Sequence, residues 1–140
     1  MKLLTKQTDY AIRAAMNLAR QRNGLVSSRD ISKQEGIPLH FLRRILQTLI
    51  KDGVVEAREG GAGGVRLKAD PGKLRIADLI RLFQGNIQLS ECMFRKRICS
   101  NRKTCVLRKR IKNIERMITR EFEAMTIEDL LRDLEVQDEA

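Results

Sequence analysis

A chain of 140 residues with 42% apolar side chains can bury one core, with or without an appended helix, and is too apolar to stay disordered. It has no run of about eighteen apolar residues, and its first residues turn polar too soon for a secretory signal, so no membrane span and a cytoplasmic address are expected. The formal net charge of +10, from 28 Lys and Arg against 18 Asp and Glu, calls for a polyanionic partner. Thr5 or Thr8 can cap a first helix running to about Arg22, with Ala11, Ala14, Ala15, Leu18 and Ala19 at helical spacing. Ser27-Ser28-Arg29-Asp30 reads as a capping box for a short helix ending at Gly36. Ile37-Pro38 then opens another helix over 38–52, with Pro38 near its first position and Gly53 as its stop. In that helix Leu42, Ile45, Leu46, Leu49 and Ile50 form an apolar face, opposite His40, Arg43, Arg44, Gln47 and Lys51.

Two strands are expected at 54–58 and 65–68, joined by the glycine-rich tip Glu59-Gly60-Gly61-Ala62-Gly63-Gly64. A helix follows from Ile76 to Gln84, with Ile76, Leu79, Ile80 and Phe83 inward. Residues 86–103 read as loop. A long helix over 104–125 carries Leu107, Ile111, Ile114, Ile118, Phe122 and Met125 at spacings of three or four, a stripe fit to pair with a partner helix. Thr126-Ile127-Glu128-Asp129 resembles a second capping box, opening a short last helix.

Two helices joined by a glycine turn, followed by a hairpin, form a helix-turn-helix with a wing. The charge is uneven: residues 1–112 hold 25 basic and 9 acidic side chains, and residues 113–140 hold 3 and 9. With no Trp, one Tyr and four Phe, little is available to stack unpaired bases, so duplex DNA is the expected partner. The 38–52 helix would enter the major groove, presenting Pro38, His40, Arg43, Arg44, Gln47 and Lys51, with Ser28 beside it. Arg58 and Arg66 on the wing would meet phosphates or the minor groove. The alternative reading of each arginine taken singly is a solvated surface charge. The glycine run lacks the Lys-[Ser/Thr] ending of a triphosphate-binding loop. A single histidine, His40, with no Ser/His/Asp arrangement and no cofactor loop, argues against an enzyme.

Cys92, Cys99 and Cys105 are spaced C-x6-C-x5-C. An odd count suits no disulfide framework, and neither gap suits structural zinc. Their neighbours are basic, with no acid from Met93 to Lys112. Such a field disfavours plain burial of thiols and favours thiolates or an anionic thiolate-ligated cluster. An iron–sulfur cluster is the favoured reading, and a cluster-free thiol redox switch is the alternative.

From its start to about Leu131 the chain resembles the IscR/NsrR-type family of winged-helix iron–sulfur regulators. The resemblance rests on Leu4-Thr5-Lys6-Gln7-Thr8-Asp9-Tyr10-Ala11-Ile12-Arg13, on Ile37-Pro38-Leu39-His40-Phe41-Leu42, on Arg58 to Leu67 and on the cysteine trio. It implies a homodimer paired through the 104–125 helix and a [2Fe–2S] or [4Fe–4S] cluster on Cys92, Cys99 and Cys105. Cluster state would set affinity for a palindromic promoter site, in response to nitric oxide, redox state or iron and cluster supply. A branch that senses cysteine metabolism lacks the trio. Members similar to IscR take a fourth ligand from a histidine after the third cysteine, where Val106, Leu107 and Arg108 stand here. Members resembling the nitric-oxide sensor take it from an aspartate in the partner's first helix, and Asp9 falls at that place; its other reading is a first-turn acid favoured by the helix dipole.

The fold class expected is therefore mainly α with a small β-hairpin wing. A winged helix-turn-helix domain would occupy 1–85, a cluster loop 86–105, and a dimerisation helix with a short last helix 104–140. The expected function is a homodimeric, sequence-specific transcriptional regulator, read as a repressor, switched by its cluster.

Overall fold

The computed structural model describes residues 2–22, 24–89 and 105–139. Helix α1, Lys6–Arg20, is capped by Thr5, whose hydroxyl accepts from Thr8 N. Its five small or apolar expected positions are all buried, and it packs against α2 (Ser28–Glu35), α3 (Leu39–Lys51), α4 (Ile76–Gln84), α6 (Ile127–Glu139) and strand β2 (Gly64–Leu67). Alanines on α1 let four helices approach one axis, which explains why the most central helix carries the smallest side chains.

Helix α2 opens at Ser27, whose hydroxyl accepts from Asp30 N, and ends at Gly36. Gly36 has φ of 64°, a left-handed turn that a side chain would strain. Ile37 N donates back to Ser32 O, and the Ile37 side chain is buried. Pro38 stands at the N-cap of α3, one position before the first-turn place expected. There its missing N–H still leaves no helical acceptor unmatched.

On α3, Leu42, Ile45, Leu46 and Leu49 are buried, each side chain contributing on the order of 1.5–3 kcal/mol relative to exposure. Ile50, expected on that face, is exposed. At about 100° per residue it lies roughly 90° from the centre of the buried arc, beside Arg43.

Strand β1, Val55–Arg58, pairs antiparallel with β2, in the register Val55↔Leu67, Glu56↔Arg66, Ala57↔Val65 and Arg58↔Gly64. Val26 bridges Val65 through two 2.8 Å backbone hydrogen bonds, so the hairpin base is fastened to the segment entering α2. A Cβ at Gly64 would lie 2.7 Å from Val26 O, a contact only glycine permits.

Helix α5, Val106–Ala124, leans on α4. Its junction with α6 is stitched to the start of α4: Ile76 N donates to Met125 O at 2.9 Å, and Ile127 N to Leu74 O at 3.0 Å. The Thr126 capping box is complete, with Thr126 N donating to Asp129 Oδ2 and Asp129 N to Thr126 Oγ1. The last helix is longer than the short one expected, because no Gly or Pro follows residue 126 to stop it. No helix among the described residues is long and apolar enough to cross a membrane.

Candidate nucleic-acid interface

The polar face of α3 is assembled by subtraction. Once the apolar arc is buried, His40, Arg43, Arg44, Gln47 and Lys51 are left exposed together on the opposite side. The first turn of α3 holds no acid. The helix-turn-helix therefore presents a convex, cationic, hydrogen-bonding ridge of the size a major groove admits. Pro38 is exposed at the head of the ridge, and Ser28 is half-buried at the first position of α2.

The ridge also contains a side chain the sequence reading passed over. Phe41 is 38% exposed, and its ring lies 4.5 Å from that of His40, tilted by 37°. An aromatic in a helix-turn-helix is ordinarily assigned to the core. Only the tally of which arc is buried assigns this one to the surface, where a phenyl ring suits a thymine methyl.

The wing arginines differ. Arg58 is exposed at the end of β1. Arg66 is half-buried and gives its Nε to Glu56, its cross-strand neighbour. That hydrogen bond holds the Glu56 carboxyl below its ordinary value of 4.5. Arg58 is thus available to a phosphate, whereas Arg66 already has an acid beside it.

Asp9, in the first turn of α1, has a half-exposed side chain that accepts from Arg13 Nη2 at 3.1 Å. Arg13 Nη1 donates in turn to Glu35 O at the end of α2, at 2.9 Å. Nearby, the Gln84 side chain clasps the head of α1: its Oε1 accepts from Thr5 N and from the Thr8 hydroxyl, and its Nε2 donates to Leu3 O. Nothing in the sequence announced this clasp, since it joins residues nearly eighty positions apart.

Cys105 is a free, half-buried cysteine at the N-cap of α5, a helix whose first turn has no acid. Cys92 and Cys99 lie outside the described residues. Among the described residues no group of three or more His, Cys, Asp or Glu is placed to hold a metal.

Residues 4–133 match the profile of Rrf2, described as an iron-dependent transcriptional regulator. The chain belongs to the Rrf2 family. Its Rrf2 relatives include the regulator IscR of Xenorhabdus nematophila, 28% identical over 138 residues, covering 98% of this chain and 84% of that protein. Another is the repressor NsrR of Streptomyces coelicolor, 29% identical over 130 residues, covering 91% of this chain and 87% of that one. The solved structure of CymR, the global cysteine regulator of Bacillus subtilis, superposes with a TM-score of 0.79 at 22% identity, covering 94% of this chain and 98% of that one. The fold is the Rrf2 winged helix with a long C-terminal helix. As an Rrf2 protein the chain is a DNA-binding transcriptional regulator, in a family named for regulation and not for catalysis.

The expected dimerisation stripe is divided by the structure. Phe122 and Met125 pack on the chain's own core, and Ile111 and Ile118 are half-buried. Leu107 and Ile114 are exposed, together with Val106 and Met117.

Proposed function

We propose that this chain is a homodimeric, sequence-specific repressor whose DNA affinity is switched by an iron–sulfur cluster ligated by Cys92, Cys99 and Cys105, with Asp9 of the partner subunit completing the set. The observation that carries the DNA-binding half is the α3 ridge: Leu42, Ile45, Leu46 and Leu49 are buried, Leu39 is half-buried, only Phe41 and Ile50 among the apolar side chains are exposed, and His40, Arg43, Arg44, Gln47 and Lys51 are all exposed. Pro38, His40, Arg43, Arg44, Gln47 and Lys51, with Ser28, would contact the duplex, and Arg58 and Arg66 its flanks. Arg66 would have to share its charge with Glu56.

The donor chemistry supports the cluster. A thiolate at Cys105 would sit at the positive end of the α5 dipole, beside Arg108, Lys109 and Arg110. Leu89 N donates to Glu115 Oε1 at 2.9 Å, so the chain is fastened to α5 three residues before Cys92. A bound cluster supplies iron–thiolate bonds that oxidants or nitric oxide can break. The chain's own residues carry the consequence. Cys105 heads α5; α5 ends at Met125, hydrogen-bonded to Ile76 of α4; and Gln84 at the other end of α4 holds the head of α1, on which α3 packs. This route connects the ligand set to the spacing of two recognition helices, which must match half-sites about 34 Å apart.

The test is visible absorption of anaerobically purified protein, with iron and sulfide assayed on the same sample. Brown protein, and a Cys99→Ala variant that is colourless yet still a folded dimer, are expected. Colourless, iron-free protein that resists reconstitution would remove the cluster from the account. An unfolded or monomeric Cys99→Ala would make the cysteines structural instead.

A further inference from the structure

The outer face of α5 has a pattern that the expected stripe did not contain. Leu107, Arg110, Ile114, Met117, Glu121 and Ala124 recur at spacings of three, four, three, four and three, and all six are exposed. Leu107 and Met117 are 64% and 65% exposed and Ile114 47%, a large apolar exposure for one helix. The period is that of a coiled-coil seam, with Leu107, Ile114 and Glu121 in one heptad position and Arg110, Met117 and Ala124 in the other. Its centre lies about a third of a turn round α5 from buried Glu115 and half-buried Phe122, which face the rest of the subunit.

Two seam positions are charged, and their signs choose the occupant. Helix α5 has three acids. Glu115 is taken by Leu89 N and Lys112, and Glu123 by Arg81. Glu121 has no partner among the described residues, and neither does Arg110. In a parallel pair of α5 helices each would face its own like charge. In an antiparallel pair centred between Ile114 and Met117, Arg110 meets Glu121 of the partner subunit, Ile114 meets Met117 of the partner subunit, and Leu107 meets Ala124 of the partner subunit. Every contact is then apolar on apolar or cation on anion, over a seam about 26 Å long.

We infer that the α5 helices of the proposed homodimer meet antiparallel in this register, and that two reciprocal Arg110–Glu121 ion pairs fix the register and select the partner. This rests on the homodimer proposed above, and it names the residues that specify it. The acidic and basic ends of the seam reject a shifted or parallel alignment more than they add affinity.

Sedimentation equilibrium of the full chain tests it, with wild type, Arg110→Glu, Glu121→Arg and the double exchange, far-UV circular dichroism confirming the fold. Each single change sets like charges against each other twice and should weaken dimerisation at least about tenfold. The double exchange should restore it, and an equimolar mixture of the two single variants should form a heterodimer. A dimeric wild type whose single variants dimerise equally well overturns the register and leaves the homodimer standing. Single variants that weaken without rescue by the double exchange also overturn it. A monomeric wild type, at concentrations where the family fold is intact, overturns the homodimer together with the seam.

Discussion

Arg43→Ala and Lys51→Ala separate two uses of one helix. Helix α3 rises about 1.5 Å per residue, so His40 to Gln47 spans about 10 Å, the rise of some three base pairs. Lys51 lies about 6 Å further along the axis, past the point where a helix entering by its N-terminus leaves the groove floor. Arg43 should therefore read a base and Lys51 a phosphate. Arg43→Ala is expected to cost about 1–3 kcal/mol per half-site, twice that for a symmetric dimer, and to relax preference at one base pair of each half-site. Lys51→Ala should weaken all duplexes alike and reduce the slope of log affinity against log salt by about 0.9 per subunit. Both side chains are exposed, so unfolding stability should move by no more than about 0.5 kcal/mol. The assay is fluorescence anisotropy with a duplex selected from a random pool and with its single-base variants, over a range of salt. If Arg43→Ala weakened every duplex equally, or Lys51→Ala changed the base preference, α3 would not lie in the groove as described.

Two further predictions concern the scaffold. Gly64→Ala should open the Val26–Val65 bridge, costing about 2 kcal/mol for two hydrogen bonds and weakening DNA binding through the displaced Arg58; an unchanged melting temperature would contradict it. Thr126→Ala should cost about 1 kcal/mol by removing the cap of α6. The Thr126 N–H donated to Asp129, joined by the Thr126 hydroxyl, holds that carboxyl below its ordinary value of 3.8. Its contribution is therefore present above that value and lost as pH falls through the lowered one, and Asp129→Asn should flatten this acid limb of the stability curve in calorimetry.

What the sequence made legible were features written in neighbouring residues. Ser27 with Asp30, and Thr126 with Asp129, predicted helix starts that the hydrogen bonds show. The glycine-tipped hairpin and the two-sided α3 were also readable, because periods of two and 3.6 leave local signatures. Features that depend on packing were not. The Glu56–Arg66 pair requires the strand register, and the Gln84 clasp joins opposite ends of the first eighty-odd residues. On α5 two apolar arcs adjoin, from Leu107 and Ile114 round to Ile111, Ile118 and Phe122. A continuous stripe is all that periodicity can report, and only contact with α4 decides which edge turns inward. Ile50 and Phe41 were missed for a similar reason, as residues at the margins of the buried arc of α3.

The central claim, a DNA-binding ridge governed by the cysteine site, is tested most directly by one affinity measured twice. Anaerobic protein is titrated into its selected duplex by anisotropy, and the same sample is titrated again after its iron has been removed by a chelator. A change of at least about tenfold, about 1.4 kcal/mol, abolished in Cys99→Ala, is the result expected. Equal affinities from a sample that demonstrably lost its iron would leave a winged-helix DNA-binding protein and contradict the switch.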